Sequence, residues 1–120
     1  MTAIGFFLCM LNDIPDGASR GFDPGKRGRD SILMVRRGQR IFAYRDSCPH
    51  YGNDGPPMPW RKDDYLNKGG TRILCSAHGA EFEIETGKCT YGPCIGLSLQ
   101  ALPTVVTPEG EIYIVPDRMA

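Results

Sequence analysis

A chain of 120 residues supplies enough apolar surface for one domain with a modest core, and a second independent domain is not expected. Its 14 basic and 14 acidic residues cancel, which excludes a global field for a polyanion such as nucleic acid. The 15 glycines and 10 prolines follow no collagen-like period or simple repeat, so they point to short strands and tight turns rather than long helices.

In chain order, Ile4-Gly5-Phe6-Phe7-Leu8-Cys9-Met10-Leu11 is apolar. It lacks both the basic leader of a signal peptide and the length of a membrane span, and it reads as a buried strand. Without an export signal, the five cysteines suggest a reducing, cytoplasmic setting. Metal or free-thiol roles are then favoured over a disulfide framework. Cys9, followed by Met10 and Leu11, reads as a small core residue. Asn12 to Gly17 carries Pro and Gly turn signals, and Ala18–Phe22 reads as a short strand. Asp23 to Asp30 is polar and mostly basic; a charged hairpin loop explains it better than a nucleic-acid contact. Ile32-Leu33-Met34-Val35 and Ile41-Phe42-Ala43-Tyr44 flank a polar turn and predict a hairpin.

The stretch from Asn53 to Trp60 contains three prolines and cannot be a regular helix. Trp60 is expected to pack against this excursion rather than bind a substrate. Residues 61–68 read as a helical turn or a loop, and Thr71-Arg72-Ile73-Leu74 as a strand. Phe82 and Ile84 alternate with Glu81, Glu83 and Glu85, the period of a strand with one buried face. Cys89 to Gly96 reads as a constrained loop. Leu97, Leu99 and Leu102 are expected core anchors, Val105 and Val106 begin a strand, and Glu109-Gly110 turns the chain into Ile112–Val115. The expected fold is therefore a small, predominantly β single domain.

Two boxes carry the chemistry. Cys48-Pro49-His50-Tyr51-Gly52 and Cys75-Ser76-Ala77-His78-Gly79 hold both histidines and two of the five cysteines. Both boxes follow short strands, so sheet pairing is expected to bring them side by side. Thiolate and imidazole suit zinc as well as iron–sulfur centres, so donor type alone leaves the metal open. Spacing narrows it: C-x-H and C-x-x-H, with 24 residues between the boxes, match neither half of a C-x2–4-C and H-x3–5-H finger.

The mixed order, with the Cys-Pro-His-Tyr-Gly run and the glycine after His78, resembles the Rieske iron–sulfur family. The resemblance to its small ferredoxins and ferredoxin-like proteins covers approximately residues 6–115. It implies an all-β fold, a small antiparallel β-sandwich spanning residues 1–120 with an inserted cluster-binding subdomain at approximately 46–96. It also implies one [2Fe-2S] cluster, with Cys48 and Cys75 on one iron and His50 and His78 on the other. All four side chains are then ligands, and no catalytic residue is assigned.

Gly92-Pro93-Cys94-Ile95-Gly96 resembles the proline loop that shields such clusters. With the ligand positions filled, Cys89 and Cys94 are expected to pack near that loop; a disulfide between them is not predicted. High-potential respiratory members carry a serine after the second-box glycine and a tyrosine two places later. Ala80 and Phe82 stand there, which implies a low-potential centre. The resemblance further implies a one-electron carrier between an NAD(P)H-dependent flavoprotein reductase and a terminal oxygenase or other reductase, with no independent catalytic activity and no membrane insertion. Open alternatives are the small subunit of a nitrite reductase, a redox sensor or interaction module, and a structural zinc module.

Overall fold

The computed structural model describes residues 6–24, 26, 28, 30–46, 63, 65–75, 79–92 and 95–115. Within them lie nine strands, one 3-10 turn at Leu11–Asp13 and no α-helix. The strands are β1 (Phe6–Met10), β2 (Ser19–Phe22), β3 (Ile32–Arg37), β4 (Arg40–Arg45), β5 (Arg72–Cys75), β6 (Ala80–Glu83), β7 (Cys89–Tyr91), β8 (Thr104–Val106) and β9 (Glu111–Ile114). They form three three-stranded sheets, ordered β1-β9-β8, β2-β3-β4 and β5-β6-β7, with every pairing antiparallel. The all-β antiparallel expectation is met, and the β5-β6-β7 sheet is inserted in the chain between β4 and β8. No helix among the described residues is long and apolar enough to cross a membrane.

Strand β3 is the central wall. Ile32, Leu33, Met34 and Val35 are all buried, as a continuous apolar run requires when both faces are covered. Leu33 and Val35 point into a core shared with Tyr44, Tyr65, Ile73, Cys75 and Phe82. Ile32 and Met34 point the other way, into a core with Ile14, Leu102, Ile112 and Ile114. The partner strand β4 divides its residues in the same way, Tyr44 going to the first core and Ala43 to the second. Strand β6 shows the plain alternation instead: Ala80 and Phe82 are buried, and Glu81 and Glu83 are partly exposed.

Three expectations need correction. The first strand is an edge strand, so Phe6 and Phe7 are exposed at 38% and 51% rather than buried. Phe7 makes an edge-to-face contact with Tyr113, its neighbour on β9. A register shift between Phe7 and Cys9 then sets Cys9 opposite buried Ile112, so the inward residue is the thiol. Second, Cys89–Tyr91 is a strand rather than loop: it pairs with β6, with a register shift that puts buried Cys89 opposite Phe82. Third, Leu97 is 44% exposed. It accepts the Cys89 N–H through its carbonyl at 3.0 Å and contributes backbone, while Leu99 and Leu102 fill the core as expected.

The segment before β5 is a loop where it is described, one of the two expected forms, and Asp63 has φ +67°. Leu66 bridges Ile73, and an Asn67–Gly70 turn closed by a 2.9 Å backbone hydrogen bond reverses the chain. Trp60 lies outside the described residues, as do Arg61, Lys62 and Asp64.

Candidate metal centre

The second box grows from the β5–β6 hairpin. Cys75 ends β5 and pairs across the sheet with Ala80, the first residue of β6. Its side chain belongs to the first core and is 1% exposed. Residues 76–79 join the two strands, and the Gly79 N–H donates to the Cys75 carbonyl at 2.8 Å. Gly79 has φ +72°, in the left-handed region where glycine is least strained, so its identity follows from the turn. His78 lies outside the described residues.

The proline loop starts against this hairpin. Gly92 has φ +97°, and a Cβ placed there would lie 2.8 Å from the Ala80 Cα. Only a residue without a side chain lets the start of the loop press onto the backbone of the second box. Pro93 and Cys94 lie outside the described residues, and Ile95 beyond them is 67% exposed.

The first box is fed by β4, through Arg45 and buried Asp46; Cys48 and His50 lie outside the described residues. Among the described residues, the strands that lead into the boxes, β4 and β5, do not pair with one another, so they are not brought side by side by sheet pairing as expected. Strand β4 belongs to the central sheet and β5 to the inserted one, because β4 takes β3 as its neighbour and β5 takes β6. One link between them is Tyr65. Its hydroxyl donates to the Asp46 carboxylate at 2.6 Å, and its carbonyl accepts the Leu74 N–H at 2.7 Å, one residue before Cys75.

Strand β2 holds this link from outside. The Ser19 hydroxyl donates to the Asp63 carbonyl at 2.7 Å and accepts from the Tyr65 N–H at 3.3 Å. The Gly21 N–H donates to the Asp63 carboxylate at 2.8 Å. A side chain at Gly21 would collide with the Tyr65 hydroxyl and with Asp30. Burial, then the Asp46 charge and hydrogen bond, then Asp30 and Asp63, push the Tyr65 hydroxyl far above the ordinary tyrosine range. Sequence reasoning missed Tyr65. It follows two aspartates in a polar stretch with no periodicity, so no local pattern marks it as fully buried.

The donor chemistry fits an iron–sulfur centre. Among the described cysteines, Cys9, Cys75 and Cys89, only Cys75 stands at the mouth of a hairpin that leads into a second donor box. Cys9 is held in the other core, where burial first and Asp13 second push its thiol up to about 11, a protonated core residue. The Cys89 thiol is turned inward and lies 3.3 Å from the Tyr91 carbonyl, in keeping with a packing role. Ala80 and Phe82 are both fully buried on the Cys75 face of the hairpin and bring no hydroxyl to it. A polar cleft of about 380 Å³ between Arg37, Arg72, Glu83 and Glu85 sits at the opposite end of β5 and adds no donor to Cys75.

With this geometry the comparisons agree. The family model of the Rieske [2Fe-2S] domain matches residues 6–105. Among solved structures, the complex of reduced oxygenase and oxidized ferredoxin in carbazole 1,9a-dioxygenase contains a chain 25% identical, with 95% of this chain and 94% of that chain covered and a TM-score of 0.68. The ferredoxin of carbazole 1,9a-dioxygenase from Nocardioides aromaticivorans IC177 is 24% identical, covers 92% of this chain and 96% of its own, and also gives a TM-score of 0.68. A putative NADH-dependent nitrite reductase small subunit from Mycobacterium tuberculosis is 20% identical over 91% of each chain, with a TM-score of 0.63. The last two likenesses are likenesses of fold. A curated protein of Drosophila melanogaster, described as a possible lysine-specific histone demethylase 1, is 38% identical over 47 residues, which span 39% of this chain and 5% of that protein.

Proposed function

The chain belongs to the Rieske [2Fe-2S] domain family, whose model spans residues 6–105, and from that premise we propose that it is a one-electron carrier between a reductase and an oxygenase. The observation that carries this reading is the buried Cys75 at the end of a hairpin whose loop holds the second donor box. Cys48 and Cys75 hold one iron, and His50 and His78 hold the other, within a cluster-binding region at approximately 46–96. When bound, such a cluster supplies a one-electron store at the potential its surroundings set.

The chain's own residues do the rest. The β5–β6 hairpin fixes the Cys75 backbone, and Gly92 lets the proline loop approach the second box. Ala80 and Phe82 exclude water from the Cys75 side with side chains that carry no hydroxyl. Rieske centres span roughly −150 to +300 mV, and donors to sulfur are among the features that raise the value. The absence of hydroxyls at residues 80 and 82 therefore supports the low end of that range.

A flavoprotein reductase that uses NAD(P)H as donor and a terminal oxygenase as acceptor fit a carrier of this size, and the cytoplasm is the compartment in which its thiols stay reduced. The carbazole 1,9a-dioxygenase ferredoxins supply a functional analogy. A putative nitrite reductase small subunit shares the fold, so its separation from a free carrier rests on the partner.

The test joins composition to turnover. Iron and acid-labile sulfide should each measure two per chain, and reduction with dithionite should give the electron paramagnetic resonance signal of a mixed thiolate–imidazole centre. Replacing His50 or His78 by cysteine should change that signal. NAD(P)H-driven reduction through a separate flavoprotein, followed by reoxidation by an oxygenase, should turn over. A colourless protein holding one zinc, or a midpoint above about +200 mV within the family's range, would contradict the reading.

A further inference from the structure

We propose that the Tyr65–Asp46 hydrogen bond is a positioning clamp that fixes the two ligand boxes relative to one another across two separate sheets. The inference rests on the ligand assignment above and goes beyond it, because neither Tyr65 nor Asp46 is a ligand. Asp46 stands two residues before Cys48, directly after the central-sheet strand β4. Tyr65 is tied through its carbonyl to Leu74, one residue before Cys75, on the inserted sheet. A single side chain therefore spans the two strands that deliver the cysteines.

The surroundings make this bond stiff rather than incidental. Tyr65 is fully buried and Asp46 is 2% exposed, so water does not compete for the pair. The phenol ring is locked in the first core with Leu33, Ile73 and Phe82. Its backbone is pinned on one side by Ser19 and on the other by Leu74. A hydroxyl held at both the ring and the backbone sets the distance to the carboxylate that accepts from it. Among the described strands no pairing links β4 to β5. The Tyr44 hydroxyl bond to the Ile84 carbonyl and the shared core also hold the two sheets together, and the clamp is the contact that reaches the chain next to both cysteines. Outer-shell hydrogen bonds of this kind hold ligands in place for binding.

Tyr65→Phe deletes the hydroxyl and keeps the ring. The protein is purified with its cluster, iron and sulfide are counted, and iron release to a chelator is followed by loss of visible absorbance. Tyr113→Phe, on the outer sheet, is the control. Tyr65→Phe should fold and load two irons and two sulfides, release iron about 10-fold faster than the control, and shift the g-values of the reduced protein. Asp46→Asn, whose amide oxygen can still accept the hydroxyl, should stay close to the parent in both readings.

Should Tyr65→Phe fail to fold, Asp46→Ala removes the same bond from its other end and is held to the same outcome. Unchanged release and unchanged g-values in a loaded Tyr65→Phe protein would overturn the clamp and leave the ligand assignment standing. Fast release from Asp46→Asn but not from Tyr65→Phe would also overturn it, since charge rather than position would then act. A parent protein without two irons and two sulfides would overturn the ligand assignment and the clamp with it.

Discussion

At residue 80 the smallest chemical change has the most direct consequence. Ala80 pairs with Cys75 across the hairpin and is fully buried, so its methyl occupies the space beside the proposed ligand. Ala80→Ser would place a hydroxyl there. A donor to a thiolate favours the more negative, reduced state, so the midpoint should rise by on the order of 59 mV, one tenfold change in a one-electron equilibrium. A redox titration followed by electron paramagnetic resonance reads it; a fall in the midpoint would mean that residue 80 does not face the sulfur. Gly92 makes a steric rather than an electronic contribution. At φ +97°, with the Ala80 Cα 2.8 Å from any added Cβ, Gly92→Ala combines backbone strain with a clash against main chain that cannot rotate away. The expected loss is about 2–4 kcal/mol in urea denaturation, and a loss under about 0.5 kcal/mol would contradict the close approach.

At the scale of elements, β3 and β8 are opposite cases. Leu33 is fully buried in a strand covered on both faces, whereas Val105 is 38% exposed on the edge strand β8. Leu33→Ala should lower stability by about 2–5 kcal/mol, and Val105→Thr should stay within about 0.5 kcal/mol, both measured by urea denaturation. Equal losses would show that β3 is not the wall between two cores. The β3–β4 hairpin was legible because its two apolar runs flank a polar Gly-Gln turn, all within 14 residues from Ile32 to Arg45. Strand β7 was not, since three residues carry too little pattern and their pairing is set by the register shift opposite Glu81 and Phe82. The pairing of β1 with β9 was equally hidden, because it joins the two ends of the described chain. At the site, donor order made the boxes conspicuous, while Tyr65 emerged only from contacts between sheets.

Over the whole molecule, two cores share one central sheet, and each buries a group that must keep its proton. Burial first and Asp13 second push the Cys9 thiol from 9.0 up to about 11 in one core. Burial first, then Glu83 and Glu85, push the Tyr44 hydroxyl from 10.0 up to about 12 in the other, where it donates to the Ile84 carbonyl at 2.7 Å. In both cases the folded state holds a proton that the unfolded chain releases at lower pH. Their contribution to stability is therefore complete below about pH 9 and is lost as pH rises through the folded values. Each group should contribute a slope of about 1.4 kcal/mol per pH unit between its two values, so stability falls from pH 9 towards 12. Urea midpoints measured at pH 8, 9, 10 and 11 with thiols reduced should decline in that window. Cys9→Ala should lessen the decline between pH 9 and 11, and Tyr44→Phe should lessen it above pH 10, where the raised Tyr65 hydroxyl also contributes, each against its own lower baseline. Because the two groups sit in different cores, the double variant should flatten it by the sum of the two effects. A decline that survives the double variant unchanged would place its origin in groups other than these two.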